Sequence, residues 1–234
     1  MTIRDRVADV RGRIGRAAAS AGRDASDVRL IAVSKTQPPE AVRSAAEAGI
    51  TDFGENKAQE LVHKLPVVGD LGTWHFVGAL QTNKTRSVVG RVALIHSVDR
   101  IEVAEAISRR AERSGLTQPV LVQVNAAREA AKHGVDLDEA MAFAERVAAL
   151  EGLDLRGLMT MPPLGRDPES SRPWFKVLAD LGARLGDRLS GAAELSMGMS
   201  RDFEVAVQEG ATMVRVGEAV FGARNPHDRN GPPK

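Results

Sequence analysis

The 234-residue chain contains no cysteine and no tyrosine. Without cysteine there are no disulfides, thiolate nucleophiles or cysteine metal sites, and without tyrosine one common catalytic acid or base is missing. Net charge is nearly absent too, with 32 Lys and Arg against 31 Asp and Glu. That balance gives no electrostatic reason to expect a nucleic acid or an anionic membrane surface as partner. No apolar run approaches the length that spans a bilayer. The opening Met1-Thr2-Ile3-Arg4-Asp5-Arg6 carries charges where a signal peptide would place its apolar core. The expectation is a cytoplasmic protein that works on a small molecule, with neither nucleic acid nor membrane as partner.

With 43% hydrophobic and 27% charged side chains, a chain of this size builds one closed barrel or two small domains. Ile3, Val7, Val10 and Ile14 recur at helical spacing, so an amphipathic helix over 3–20 precedes the first strand. Short runs rich in Val, Ile and Leu then alternate with longer amphipathic stretches. Strands are expected at 29–34, 52–54, 74–78, 93–97, 120–124, 155–159, 193–196 and 213–216, and helices at 39–48, 57–65, 83–89, 100–114, 138–150, 170–189, 201–209 and 219–222. Eight such units favour a single (β/α)8 TIM-type barrel, because strands buried on both faces read as continuous apolar runs and closure removes both edges. An open Rossmann-like sheet is the runner-up, weakened because no G-x-G-x-x-G follows the first strand. The barrel and its extra N-terminal helix are assigned to residues 1–224, and residues 225–234 to a flexible tail.

In such a barrel the working residues stand where strands end. Lys35 closes the first strand in Val33-Ser34-Lys35-Thr36. Desolvation there favours the neutral amine that attacks an aldehyde, although a strand-end lysine also reaches water easily. Phe53-Gly54-Glu55-Asn56 puts two polar side chains after the second strand: Asn56 is suited to a ring hydroxyl, whereas Glu55 suits a helix first turn. His75 reads as a hydrogen-bonded structural residue, and the five histidines show no metal-ligand spacing, so no metal is expected. Ser200, entering a helix, and Gly217, after the eighth strand, lie in adjacent loops where barrels build phosphate sites; alone, each is an N-cap serine or a turn glycine. Arg215 points toward the same space. A guanidinium facing a pyridine nitrogen would keep that nitrogen unprotonated and weaken the ring as an electron sink.

These residues resemble the YggS/PROSC family of proteins that bind pyridoxal 5′-phosphate (PLP), whose barrel is similar to the N-terminal domain of alanine racemase. The resemblance rests on A-V-S-K-T (32–36), F-G-E-N (53–56), W-H-F-V-G with L-Q-T-N-K (74–84), H-S-V-D (96–99), L-S-M-G-M-S (195–200) and V-R-V-G-E-A-V-F-G (214–222), in order over most of the chain. It implies a Schiff base between PLP and Lys35, phosphate binding by Ser200 and the Gly217 backbone, Arg215 facing the pyridine nitrogen, and Asn56 beside the ring. Ser196 is a further candidate for the phosphate environment. Lys132 matches a second family lysine linked to cofactor handling, and also reads as an ordinary solvated lysine. Gln37 stands where the family often has a basic residue, which puts in question whether PLP is passed on in the same way.

The resemblance implies a protein of intracellular PLP homeostasis, which holds the reactive aldehyde and delivers it to apo PLP-dependent enzymes. The alternative is a PLP-dependent amino-acid racemase. Two-base racemisation needs a group on each face of the cofactor, which alanine racemases supply as a tyrosine from a C-terminal domain. This sequence has no tyrosine and ends soon after the eighth strand, so a second base would have to be His75 or water. A Schiff-base aldolase is disfavoured, since its lysine usually comes from a later strand. Without the racemase's second domain, a monomer is expected.

Overall fold

The computed structural model describes residues 1–128, 133–163, 165–189, 191 and 193–223. Lys132 and the expected tail at 225–234 lie outside these residues. The first element is α1 (Ile3–Ser20), started by a capping box in which the Thr2 hydroxyl accepts from the Asp5 N–H and the Asp5 carboxylate from the Thr2 N–H. Its buried face is Val7, Val10, Ile14, Ala17 and Ala18, the stripe its spacing predicts.

Nine parallel strands follow among the described residues: β1 (Arg29–Val33), β2 (Asp52–Glu55), β3 (Thr73–Phe76), β4 (Leu94–Val98), β5 (Gln118–Asn125), β6 (Val135–Asp136), β7 (Leu153–Met159), β8 (Glu194–Ser196) and β9 (Met213–Val216). They pair in the order β4-β3-β2-β1-β9-β8-β7-β5, and a β4–β5 ladder closes the ring. β6 is a two-residue strand on the outer end of β5. This is the closed eight-stranded (β/α)8-type barrel, with helices outside and α1 as the extra element. The helices are α2 (Pro39–Glu47), α3 (Ala58–Val68), α4 (Ile101–Arg113), α5 (Ala140–Ala148), α6 (Arg172–Leu189), α7 (Phe203–Gln208) and α8 (Glu218–Phe221).

Strand alternation sorts side chains into two compartments. Ala32, Phe53, Trp74, Phe76, Ile95, Val120, Leu158, Val214 and Val216 point outward and join the large core beneath the helices. Ile31, Leu94, Leu121, Met159 and Met213 form a separate cluster inside the barrel, where branched and other apolar side chains usually fill the space. α1 packs on α2, α7 and α8. Arg13 forks onto the Glu204 carboxylate at 2.8 and 3.1 Å and lies over the Phe203 ring, and Arg6 donates to the Phe221 carbonyl at 3.1 Å. The helix thereby braces the last βα unit.

The eight expected strands all form. The helix expected at 83–89 is instead a 3-10 turn, Thr82–Ser87. There the Thr85 hydroxyl donates to the Thr82 carbonyl at 2.8 Å, the local side-chain bonding that competes with α-helix in short polar stretches. No helix among the described residues is long and apolar enough to cross a membrane.

Candidate functional site

The C-terminal ends of the strands surround a cavity of about 490 Å³. Lys35, Asn56, Ser200, Arg215 and Gly217 all line it, so five of the six candidates, drawn from loops far apart in sequence, meet at one mouth. Ser196 does not line it; it is fully buried behind Arg215.

Lys35 sits in a turn fixed from several sides. The Ser34 N–H donates to the Gly54 carbonyl and the Gln37 N–H to the Ser34 carbonyl, both at 2.9 Å. Thr36 is left-handed at φ 64°, an unfavourable conformation for a β-branched residue. Its N–H is held by Glu60 Oε2 at 2.8 Å. Beneath the turn lies a buried ion pair between Lys64 Nζ and Glu55 Oε1. The ammonium also donates to the Ser34 carbonyl at 2.6 Å, and the Ser34 hydroxyl to Glu55 Oε1 at 2.8 Å. Burial pushes the Glu55 carboxyl up from its ordinary range, and Lys64 opposes that rise. Glu55 is thus a fully buried strand residue rather than a helix first-turn acid.

Arg215, 4% exposed, donates from Nη1 to the Ser196 hydroxyl at 2.6 Å and from Nη2 to the Thr160 carbonyl at 2.9 Å. Burial pulls the guanidinium down to about 10, with Asp202 opposing, so it remains a cation at neutral pH. No carboxylate reaches salt-bridge distance of it among the described residues. Ser196 also meets His96 Nδ1 at 2.8 Å. His75 is buried with both ring nitrogens engaged, Nδ1 with His96 Nε2 and Nε2 with Asp52 Oδ1, each at 3.0 Å.

At the opposite wall, Ser200 lies in a turn before α7, whose N-cap position is Asp202, so the serine does not open that helix. Its hydroxyl instead accepts from the Ala219 N–H of α8 at 3.3 Å, which ties the loop before α7 to α8. The buried Asp202 carboxylate secures the loop, accepting from the Met199 N–H at 2.7 Å and the Ser171 hydroxyl at 2.9 Å. Across the cavity, a Cβ on Gly78 would lie 2.1 Å from the Asn56 carbonyl oxygen, so only glycine permits this contact. Asn56 Oδ1 is buried with no hydrogen-bond partner, an uncompensated acceptor of the kind a ligand satisfies.

Lys64, Gln123 and His133 escaped the sequence reading. Lys64 had a signal: it stands three residues after Leu61 and four before Val68, on the buried face of its helix. Gln123 and His133 line the cavity, with Gln123 donating to the His133 carbonyl at 2.9 Å and His133 Nδ1 lying 3.3 Å from Asp99. No periodicity along the chain encodes their meeting. No group of three or more His, Asp or Glu side chains suited to a metal occurs among the described residues.

The alanine racemase N-terminal domain family matches residues 10–225. A pyridoxal phosphate homeostasis protein of Pseudomonas aeruginosa is 44% identical over 225 residues, covering 96% of each chain. Another, from Aquifex aeolicus, is 42% identical over 222 residues, covering 94% of this chain and 97% of its own length. Among solved structures, PipY of Synechococcus elongatus with PLP bound superposes with a TM-score of 0.81 at 35% identity, covering 94% of this chain and all of its own.

Proposed function

The chain belongs to the pyridoxal phosphate homeostasis proteins of the alanine racemase N-terminal domain family, and from that premise we propose that it binds PLP in the barrel mouth and serves cytoplasmic PLP homeostasis. The observation that carries the reading is the meeting of Lys35, Asn56, Ser200, Arg215 and Gly217 around one cavity. The set of groups fits the cofactor: an amine for the aldehyde, a hydroxyl and backbone turn for the phosphate, a guanidinium for the pyridine nitrogen, and the unpartnered Asn56 Oδ1 as acceptor for the ring hydroxyl.

In this reading Lys35 holds the aldehyde covalently as a Schiff base, and its turn keeps the amine aimed into the cavity. Ser200 and the Gly217 backbone orient the phosphate. Arg215, cationic at neutral pH, presents N–H donors to the pyridine nitrogen and leaves it without a proton. PLP with its nitrogen unprotonated is a poor electron sink, which suits storage and delivery to apo-enzymes better than proton abstraction. The proposed protein is a monomeric carrier rather than a dedicated catalyst. The racemase alternative needs a base on the second face. His75 is buried, commits both ring nitrogens elsewhere and does not line the cavity.

The test is the visible spectrum of the purified protein with added PLP, before and after borohydride, followed by peptide mapping. A yellow band lost on reduction, with a pyridoxyl group on the Lys35 peptide, is the expected result. Failure to take up PLP overturns the reading.

A further inference from the structure

One line of polar side chains crosses the apolar interior of the barrel. Asp52 at the start of β2 meets His75 on β3, which meets His96 on β4, then Ser196 on β8, then Arg215 on β9; the four contacts run from 2.6 to 3.0 Å. Of the five, Arg215 alone lines the cavity. A polar line among Ile31, Leu94, Leu121, Met159 and Met213 is costly unless every member is satisfied.

The chemistry of the two ends dictates a direction. A guanidinium only donates, so Ser196 Oγ accepts from Arg215, and a carboxylate only accepts, so His75 Nε2 donates to Asp52. Burial alone would push the Asp52 carboxyl up, but the hydrogen bonds from His75 and Thr51 win and leave it below its ordinary range. Burial holds His96 well below the usual histidine range, and the nearby positive charges, Arg215 and Arg29 among them, add to that. Each contact has one donor and one acceptor when each ring carries a single proton, on Nε2. Ser196 O–H donates to His96 Nδ1, His96 Nε2–H to His75 Nδ1, and His75 Nε2–H to Asp52. A His75 imidazolium would reverse the His96 ring and leave the Ser196 proton with no acceptor in the line.

We propose that Asp52, His75, His96 and Ser196 are positioning residues for Arg215: their one-way line of hydrogen bonds, ending on the Asp52 carboxylate, sends the Ser196 proton to His96 and leaves the serine lone pairs facing Arg215, and so fixes how the guanidinium meets the cofactor ring. The inference rests on the PLP reading, and Ser196 takes its role from it. The serine acts behind the arginine, not at the phosphate. The line also reaches the far end of the barrel, so a residue remote from the cavity bears on the cofactor's electronic state.

The first measurement is ¹⁵N-resolved NMR of the histidine rings in the unliganded protein, which needs no variant. Neutral Nε2–H tautomers at both His75 and His96 are expected; an Nδ1–H tautomer or a doubly protonated ring at either overturns the proposal. The second is Asp52→Asn, whose amide both donates and accepts and no longer enforces the direction. With PLP added, Lys35 should still be the residue trapped by borohydride, while the absorption maximum and its pH profile shift. PLP release should quicken by roughly three- to tenfold, about the effect of one hydrogen bond. An unchanged spectrum and release rate overturn the proposal. If Asp52→Asn does not fold, Ser196→Ala is read the same way. A wild-type protein that takes up no PLP sinks the reading beneath the proposal, whereas PLP uptake with the wrong tautomers sinks the line alone.

Discussion

Lys64 donates its ammonium to the Ser34 carbonyl at 2.6 Å, one residue before Lys35. One lysine, buried and never in contact with the cavity, therefore shapes the turn that presents another. Its charge is matched by Glu55, and Glu60 completes the support from the same helix by holding the Thr36 N–H.

Lys64→Met is expected to destabilise the fold by about 3–5 kcal/mol, because it strands a buried carboxylate without its cation. The double variant Glu55→Gln/Lys64→Met should recover much of that loss, since an amide can keep the Ser34 hydroxyl bond without carrying charge. Urea unfolding of the two variants and wild type measures this. A Lys64→Met penalty under about 1 kcal/mol would show that Glu55 is satisfied in another way.

The interior histidine makes stability depend on pH with a definite sign. His96 is held well below its ordinary value of 6.5, so below about that pH the unfolded chain binds a proton that the folded one refuses. Stability is then lost on acidification from 6.5 toward the folded-state value, at a limiting slope of about 1.4 kcal/mol per pH unit. Denaturant midpoints between pH 7.5 and 5 should fall accordingly. His96→Asn should flatten that slope even where it lowers stability overall.

Gly78→Ala should leave the barrel intact and disturb the ligand wall, since the new Cβ would meet the Asn56 backbone at 2.1 Å. PLP affinity is expected to drop by about tenfold or more, the equivalent of roughly one lost hydrogen bond, with little change in circular dichroism. Affinity equal to wild type would separate Asn56 from the cofactor.

Ser200→Ala and Arg215→Ala should each weaken PLP retention without abolishing the covalent link, whereas Lys35→Ala should keep the fold and lose the link. Dialysis followed by borohydride trapping compares all three. Retention unchanged in both of the first two variants would discredit the assignment of that end of the cavity.

Carrier and catalyst separate in D₂O. Incubation of the PLP-loaded protein with D- or L-alanine is expected to leave the α-proton in place, read by mass spectrometry. Uptake of α-deuterium would revive the racemase, with His133 as the imidazole that lines the cavity.

The barrel was legible because strands such as β1, β4 and β5 are short apolar runs and most outer helices are amphipathic, and those periods survive in a single sequence. That Lys35, Asn56, Ser200, Arg215 and Gly217 line one cavity was legible because strand ends are where such barrels work. What supports them was not. The Glu55–Lys64 pair joins a strand to the following helix, and the Asp52-to-Arg215 line joins five strands. Neither is a pattern along the chain: the first needs α3 to fold back on β2, and the second needs distant strands to come into register. The 3-10 turn at Thr82–Ser87 failed for a different reason, since local hydroxyl bonding outweighed a weak helical signal.

β1 pairs with β9, so the strand that leads into Lys35 finds one of its two neighbours only when the last strand of the barrel arrives. A chain emerging from the ribosome displays Lys35 early, yet it has no Arg215 or Gly217 to set beside it until about 180 further residues have been made. An aldehyde met in that interval would find an ordinary amine. On the proposed reading, tight capture of the cofactor waits for the ring to close, and PLP retention doubles as a report that β9 has docked on β1.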